Sequence, residues 1–515
     1  MDGISFYAGA ARRDITPAAG ICMDGYAARE GPALGLLDPL YVKAVYFAQD
    51  GGDGGDSHLF LSLDLCGAST ELEADLAAGV CARLGLPRYA LTLTFTHTHA
   101  GPACGLIKDM PVDRAYWESV IDTARGCAGE AKRNAAPSFL RATAAKAGFG
   151  VNRRELKDGK IVLGTNKTGE LDDTVRVLAV YRRGENSCPS ALIVMASCHP
   201  TSLGSENRYI SADYPGTLYQ RIGEIYPGAV TLFINSGAGE VNPRRVPGED
   251  GPARARNVGN ELADVVLASV AAGSPDSDCN AGIGSGSGHV ERIEHVEHVE
   301  RIGHVALIEQ IERVEQVARI ERIERDERGQ HLCGVPPAAR MKRLRRYLNV
   351  TFAPLPPLPA LTEELYERRS ALEKAKYDGS PPYAQFIENR YINWAREAIS
   401  RKEQGCEIRE RAVPVQLTEL YGGMLFVQLP FEVFSFTVKK IVALAESLGY
   451  DPGRVFVCGY ANGIYGYLTP EFVLREGGYE AEDSYKWYGL PAPYANHCEA
   501  DIVNGITDMI KELQQ

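Results

Sequence analysis

The chain has 515 residues, a formal net charge of −12 at pH 7 and a hydrophobic content of 45%. Its length suits one large domain or two to three ordinary ones, and its composition is that of a soluble globular protein. The acidic charge argues against nucleic acid as the main partner, and no apolar run approaches the ~20 residues of a membrane span.

The 12 cysteines are scattered and form no Cys-x-x-Cys pair. This usage is typical of reduced, mostly buried thiols rather than of a disulfide framework. The first residues, Met1–Phe6, contain no basic segment followed by an apolar core, so we expect no signal peptide and a cytoplasmic location.

Hydrophobic periodicity predicts an α/β fold with mixed β-sheets and flanking helices. Asp64 interrupts a buried strand, so its carboxylate must be paired or lie near a cation. In the first half, strands are predicted at Tyr7–Thr16, Asp38–Phe47, Leu59–Leu65, Tyr89–Phe95, Phe139–Phe149, Thr174–Tyr181, Ala191–Ala196 and Thr231–Ile234. Helices are predicted at Thr70–Leu84, Tyr116–Arg133 and Ala253–Ala271, with a further helix that ends at Ile225.

Two histidines follow one of these predicted strands. His97 and His99 lie in the segment Thr96–Pro102, and we expect them at the end of the strand with both imidazoles on one face. Such a pair can share a metal ion, or one ring can bind the ion while the other transfers protons. A hydrogen-bonded pair of histidines at a turn is the alternative.

Other polar residues also directly follow predicted buried strands. His199 follows a strongly apolar strand, the segment Asn235–Arg244 follows another, and Glu432 follows a third in the second half. The carboxyl ends of strands are where α/β proteins form their sites, so these residues are candidates for one site. Arg153, predicted in a loop at Gly150–Arg154, is either a binding group for a substrate carbonyl or anion or a solvated arginine.

The composition changes abruptly near residue 282. A Gly/Ser linker leads into His289–Glu327, where valine or isoleucine recurs every third residue among Glu, Arg and His. A period of three matches neither a helix face nor a strand face, so we expect a charged, low-complexity insert outside the core. Metal binding by its histidines is the less favoured alternative. The chain thus divides into residues 1–281, an insert at 282–330, and residues 331–515.

The second half again combines helices and strands. A basic patch at Arg340–Arg346 comes first, one helix is predicted to end at Leu448, and the last helix is predicted at Asp501–Leu513. The other predicted elements are helices at Thr362–Lys376 and Tyr383–Glu403 and strands at Val413–Leu420, Met424–Gln428 and Arg454–Tyr460.

Five short motifs occur in a fixed order after predicted buried strands. They read Thr-His-Thr-His-Ala-Gly-Pro, Cys-His-Pro-Thr-Ser, Ala-Gly-Glu-Val-Asn-Pro, Leu-Pro-Phe-Glu and Ala-Asn-Gly-Ile-Tyr-Gly-Tyr-Leu-Thr. In this order they resemble the zinc amidase domain of the neutral/alkaline (non-lysosomal) ceramidase family. The resemblance runs from about Tyr7 to Glu480, excluding the insert, and implies a ceramidase-like catalytic domain in two parts.

The resemblance also implies roles for particular residues. His97, His199, Glu432 and Tyr467 match the family's zinc ligands, at strand ends. His99 matches the histidine that faces the substrate and the metal-bound water, and Arg153 matches an arginine of the same pocket. Two imidazoles and a carboxylate are a known catalytic zinc set, with which His99 can transfer protons and Tyr467 or Arg153 can stabilise an oxyanion.

One departure from the family concerns catalysis. Ceramidases have Gly-Asp-Val-Ser-Pro-Asn where this chain has Gly239–Arg244, so Asn242 replaces the proposed catalytic serine. An amide is no nucleophile, but it can orient a substrate or donate to an oxyanion. We therefore expect zinc-activated water to cleave an amide, or a related C–N or ester bond. The alternative is a non-hydrolytic or inactive protein that uses the zinc site for binding, condensation or cyclisation.

A second departure concerns the substrate. We expect the chain to lack the C-terminal β-sandwich of secreted ceramidases, and we expect a small-molecule substrate that is smaller or more polar than ceramide.

Overall fold

The computed structural model describes residues 6–49, 56–185, 188–272 and 341–515. The predicted insert at 282–330 lies outside the described residues, so the division of the chain at this segment stays a prediction. Within the described helices, none is long and apolar enough to cross a membrane. The ten described cysteines are all free and seven are buried, as the sequence predicted for them.

The strands of the described ranges are numbered in chain order. They are β1 (Phe6–Asp14), β2 (Gly35–Leu36), β3 (Tyr41–Gln49), β4 (Ser57–Leu63), β5 (Leu91–Phe95), β6 (Ala136–Lys146), β7 (Gly150–Lys157), β8 (Lys160–Asn166), β9 (Thr174–Arg182), β10 (Ala191–Ala196), β11 (Tyr209–Ile210), β12 (Val230–Asn235), β13 (Val241–Pro243), β14 (Lys342–Thr351), β15 (Glu410–Leu420), β16 (Met424–Gln428), β17 (Glu432–Val433), β18 (Val455–Cys458) and β19 (Tyr467–Leu468).

The helices are numbered in the same way. They are α1 (Thr70–Leu84), α2 (Arg114–Arg133), α3 (Tyr214–Ile225), α4 (Gly251–Ala272), α5 (Leu358–Tyr377), α6 (Pro382–Glu403), α7 (Ser435–Ser447), α8 (Glu471–Glu476), α9 (Tyr479–Glu482), α10 (Ser484–Trp487) and α11 (Cys498–Gln514). Short 3₁₀ turns lie at Arg88–Ala90 and Pro452–Arg454.

The strands form two main sheets and three small ones. The larger sheet has the order β12-β10-β9-β6-β1-β3-β4-β5, and the second has the order β14-β15-β16-β18. The small sheets are β13-β7-β8, β11-β2 and β17-β19. Both main sheets are mixed: the pairs β4–β5, β10–β12 and β16–β18 are parallel, whereas neighbours such as β1–β3 and β14–β15 are antiparallel. The predicted α/β fold is confirmed.

Alternating side chains arrange these elements in four layers. On β3, Val42 and Ala44 pack in the cluster that includes buried residues of α1 to α4, whereas Val45 and Phe47 pack in the cluster between the two main sheets. The far face of the second sheet buries residues of α5, α6, α7 and α11 in a third cluster. The order is therefore helices, sheet, sheet, helices, which follows from the two-residue period of each strand.

Several local predictions are confirmed by the structure. The helix predicted at Thr70–Leu84 has the bounds of α1, and the strand predicted at Ala191–Ala196 has those of β10. The α1 helix begins after Ser69, whose hydroxyl accepts from the Leu72 amide, and ends at Gly85 in the left-handed conformation. Asp64 is paired as expected, with the Lys43 ammonium.

One prediction was wrong and one strand was not predicted, and in both cases the strand is rich in charged residues. The predicted loop Gly150–Arg154 belongs to β7, and the described part of the predicted basic patch lies mostly in β14. In β7, Arg153 and Arg154 are buried because both pair with Glu480. In β14, partners far away in the sequence likewise accept from the arginines; Arg345, for example, donates to the Gln416 amide oxygen at 3.2 Å.

Candidate active site

His97 lies two residues beyond the end of β5, beside the neighbouring strand β4. Its amide donates to the Leu65 carbonyl at 2.9 Å, and its φ of +67° is in the left-handed region that non-glycine residues rarely adopt. Such backbone strain persists only where the surroundings impose it, and it concentrates at functional sites. The two histidines therefore lie after the end of the strand, and the alternation of side chains along an extended strand does not set the directions of their rings.

Asn462 holds the outer edge of β5 in place. Its side-chain oxygen accepts from the Leu93 backbone amide at 3.1 Å, and its backbone amide donates to the Leu93 carbonyl at 2.7 Å. Asn462 and the nearby Tyr460 also have positive φ, at +62° and +53°. The segment after β18 therefore covers the edge of the histidine strand, and the strain at His97, Tyr460 and Asn462 lies in one place.

His199 lies beyond β10 and is tied to β13. Its amide donates to the Val241 carbonyl at 2.9 Å, and its Nδ1 lies 3.2 Å from the same oxygen. Asn235, at the end of β12, donates to the Cys198 carbonyl at 3.1 Å and to the Thr96 carbonyl at 3.5 Å. One amide thus joins the two loops that carry the histidines, a role that the sequence did not reveal.

Glu432 and Tyr467 are brought together by strand pairing. They are directly opposite each other in the parallel pair of β17 and β19, so their side chains leave the same face. Both are buried. The sequence placed Glu432 at the exit of a strand, and the structure places it in a short strand of its own after β16 ends at Gln428.

The ligand atoms of His97, His199 and Glu432 all lie within 4.8 Å of one another. The Glu432 Oε2 atom is 2.9 Å from His199 Nε2 and 3.5 Å from His97 Nε2. Ligand atoms about 2.0–2.2 Å from a tetrahedral zinc ion lie roughly 3.3–3.5 Å apart. Small shifts would therefore place these three atoms around one ion, and the donor types suit zinc.

The contacts around the His97 and His199 rings suit metal binding through Nε2. The Nδ1 atom of His97 lies 2.6 Å from the Cys66 carbonyl, and that of His199 faces the Val241 carbonyl. A carbonyl at Nδ1 fixes the tautomer that leaves Nε2 free to bind a metal. Burial lowers the pKa of His97 to about 4, so this ring is neutral at pH 7.

Glu432 is ionised at neutral pH. Burial by itself raises the pKa of its carboxyl group, but His97, His199 and Tyr488 outweigh this effect and lower it to about 2. The Tyr460 hydroxyl donates to Oε2 at 3.2 Å, and the Tyr488 hydroxyl donates to Oε1. Neither tyrosine was predicted as a site residue. Tyr460 ends the predicted strand Arg454–Tyr460, directly before the motif that begins at Ala461, whereas no sequence pattern indicated Tyr488.

His99 lies beside the three proposed ligands. Its Nε2 is 3.2 Å from His97 Nε2, and its Nδ1 is buried without a hydrogen-bond partner among the described residues. Burial lowers the pKa of His99 well below its ordinary value. Gly25, at φ +88°, packs so close to the ring that a Cβ atom there would lie 2.5 Å from His99 Cγ. The ring is therefore held in place against a backbone that only glycine permits.

Arg153 reaches the same place from β7. Its guanidinium donates to the Tyr467 hydroxyl at 3.0 Å and, through Nε, to Glu480 at 3.0 Å. The other Glu480 oxygen accepts from Arg154 at 2.6 Å. Burial alone lowers the pKa of Arg153, but Tyr467, Glu480 and Glu432 raise it well above its ordinary value, so Arg153 stays protonated. Glu480 was not predicted as a site residue, because its partners lie more than 300 residues away.

Asn242 lies on β13 at the edge of a cavity of about 470 Å³. Its side-chain oxygen is 3.4 Å from the Thr201 hydroxyl. The same cavity is lined by His97, His99, Arg153, Glu432 and Tyr467. Glu240, two residues earlier, points elsewhere: both carboxylate oxygens accept from the Ser435 amide at the start of α7, and burial raises its pKa to about 8.

The fold and this cluster define an α/β protein with a candidate metal centre at the ends of its strands. Residues 6–244 match the family described as "Neutral/alkaline non-lysosomal ceramidase, N-terminal". Comparison with the curated proteins gave no match. The family match covers a little under half of the chain and supports a neutral/alkaline ceramidase-like family.

Solved structures share the fold over nearly the whole chain. The neutral ceramidase from Pseudomonas aeruginosa is 17% identical, with a TM-score of 0.63 over 99% of this chain and 74% of that one. A structure described as ceramidase complexed with C2 is 17% identical, with a TM-score of 0.64 over 99% of this chain and 75% of that one.

The Glu480 pairing gives a first testable expectation, for stability. Glu480→Gln removes a fully buried charge and leaves Arg153 and Arg154 unbalanced, so it should lower the free energy of unfolding by ~3–5 kcal/mol. Glu476→Gln is the matched control, because that side chain is 48% exposed and pairs only with Arg154; its expected cost is ~0–1 kcal/mol. Urea unfolding of both variants measures the difference, and equal midpoints would refute the assigned role.

Proposed function

We propose that the chain is a zinc-dependent hydrolase that cleaves an amide, or a related C–N or ester bond, of a small or polar substrate. The observation that carries this proposal is the convergence of His97 Nε2, His199 Nε2 and Glu432 Oε2 beside the cavity that His99 and Arg153 also line. Tyr467, opposite Glu432 in the strand pair, is the proposed fourth contact of the ion.

A zinc ion in this set would supply a Lewis acid and lower the pKa of a bound water from 15.7 to about 7. His99 is the proton carrier of the proposal. Its Nε2 lies 3.2 Å from His97 Nε2, and a neutral imidazole has one ring nitrogen that can accept a proton. It takes a proton as the amide carbonyl is attacked and returns a proton to the departing amine.

Arg153 and Tyr467 are proposed to receive the negative charge that develops on the carbonyl oxygen. Burial raises the pKa of Tyr467 well above its ordinary value, so the phenol is protonated in the metal-free protein, and its hydroxyl lies 3.0 Å from Arg153. The buried Arg153 cation beside it adds positive charge, which burial leaves less screened than a charge at the surface. Donors fixed in this way need no reorganisation as the reaction proceeds.

Asn242 is proposed to orient the substrate or to donate to the same oxygen. Asn242→Ala should then lower turnover by ~10²–10³, the usual cost of one such donor, without abolishing it. Asn242→Ser should keep some activity, because a hydroxyl can also donate. Asn257→Ala, at an exposed position on α4, is the control and should match the wild type. Unchanged turnover of Asn242→Ala, with unchanged zinc content, would remove Asn242 from the site.

The proposed reaction class is tested by a substrate screen. Zinc-loaded protein is incubated with N-acyl amides, amino-acid amides and lactones, and the metal content is measured on the same sample. Hydrolysis of a member of this set, lost in the His99→Ala variant, is the expected result. Condensation or cyclisation without hydrolysis would instead favour the non-hydrolytic alternative.

A further inference from the structure

The cavity beside the ligand cluster is lined by both apolar and polar residues. Leu106, Ile107, Ile387 and Trp487 supply apolar side chains, and the Lys108 amide, which donates to the Trp487 carbonyl at 2.8 Å, brings two of these segments together. Asn242, and Arg245 three residues further along the chain, supply polar side chains. A substrate that fills this space can therefore contact apolar residues with one group and polar residues with another.

Arg245 differs from the other charged residues of the cavity. The Glu432 carboxylate lies 3.5 Å from His97 Nε2 and 2.9 Å from His199 Nε2, and Arg153 forms an ion pair with Glu480. Arg245 is exposed, and within the described ranges of the chain its guanidinium has no hydrogen bond and no ion pair. Among its described lining residues, the cavity thus presents one free positive charge, on Arg245, and no free negative charge.

The neighbouring backbone fixes the place of Arg245. The preceding residues of β13 pair with β7, and the Arg244 amide donates to the Phe149 carbonyl at 2.7 Å. The Arg244 side chain turns away from the cavity, donates to the Gly148 carbonyl at 3.0 Å and pairs with Glu261 at 3.2 Å. The two adjacent arginines therefore differ in their contacts. Arg244 forms an ion pair outside the cavity, whereas Arg245 lines the cavity and has no ion pair within the described ranges.

We propose that Arg245 binds a negatively charged group of the substrate, and that the substrate is an N-acyl amino acid or a similar amide with a carboxylate. This inference rests on the proposed function. The acyl chain would contact apolar lining residues such as Leu106 and Trp487, and the carboxylate would accept the guanidinium hydrogen bonds. Hydrolysis would break the C–N bond, with water supplying OH to the acyl carbon and a proton to the nitrogen, and would release a carboxylic acid and the amino acid.

Three matched substrates test the charge preference. They are N-hexanoylglycine, N-hexanoylethanolamine and N-hexanoyl-ethylenediamine, which carry a negative, neutral and positive group at the same place. The wild type should favour the glycine amide over the neutral amide by about tenfold in kcat/KM, which corresponds to about 1.4 kcal/mol. Arg245→Met should remove the preference, Arg245→Glu should reverse it toward the cation, and Arg244→Met, the matched control, should retain it.

A binding measurement separates this inference from the proposed function. Calorimetry on the zinc-loaded protein uses ketone analogues of the glycine and ethanolamine amides, in which a methylene group replaces the amide N–H. Tighter binding of the anionic ketone, lost in Arg245→Met and kept in Arg244→Met, supports the role of Arg245 even if no amide is cleaved. Equal binding of both ketones and equal cleavage of all three amides would overturn it and leave the hydrolase proposal standing.

Discussion

Replacement of His199 by alanine is expected to remove zinc from the protein and to abolish hydrolysis. The His199 side chain is fully buried, and its Nε2 is 2.9 Å from the carboxylate that would share the ion. Loss of a single outer hydrogen bond around a metal site costs ~10–100-fold in affinity, and loss of a ligand should cost more. Metal analysis by mass spectrometry after dialysis should find about one zinc per chain in the wild type and a small fraction of that in His199→Ala.

His58→Ala is the matched control for this experiment. His58 is also a buried histidine, but its Nε2 bonds to the Thr92 hydroxyl, away from the ligand cluster. It should keep the wild-type zinc content, even if removal of a buried side chain lowers the unfolding midpoint. Full zinc content in a folded His199→Ala variant would contradict the proposed ligand set.

His99→Ala is expected to keep zinc and to lose turnover by ~10²–10⁴, the usual worth of a positioned general acid–base. The ring lies against Gly25 and the Tyr26 side chain, so its removal leaves a gap into which exogenous imidazole can fit. Added imidazole should therefore restore part of the lost turnover. Wild-type turnover in this variant would show that another group transfers the proton.

A second group of possible metal ligands lies at the same place, and zinc content in variants can distinguish it from the first group. Cys66, His97 and His99 also bring possible ligand atoms within 4.8 Å of one another. If His99→Ala lost zinc while Glu432→Gln kept it, the ion would belong to this second group, and His99 would be a ligand. Burial raises the pKa of the Cys66 thiol well above its ordinary value, so this thiol is protonated in the metal-free protein.

Much of the fold could be predicted from local patterns. The α1 helix has a serine before it and a glycine after it, and β10 is an unbroken apolar run, so both were found with their bounds. The buried strands also indicated where polar side chains would meet, because strands that end in one region bring their following loops together.

The rest depended on contacts between distant parts of the chain. The strands β7 and β14 were missed because their arginines are neutralised or bonded by residues far away in sequence, as Arg153 is by Glu480. The same reason hid Tyr488, whose hydroxyl donates to Glu432 from the turn after α10. The proximity of His97 and His99 was expected from strand alternation, but a left-handed backbone at His97 produces it.

Reconstitution of the metal-free protein with zinc tests the central claim most directly. The protein is stripped with a chelator, its folding is checked by circular dichroism, and amide hydrolysis is measured as zinc is added back in steps. The claim predicts no hydrolysis without metal and a rise that ends near one zinc per chain, with no such rise in His199→Ala. Undiminished hydrolysis by the stripped wild type, or activity in His199→Ala that follows the same titration, would contradict it.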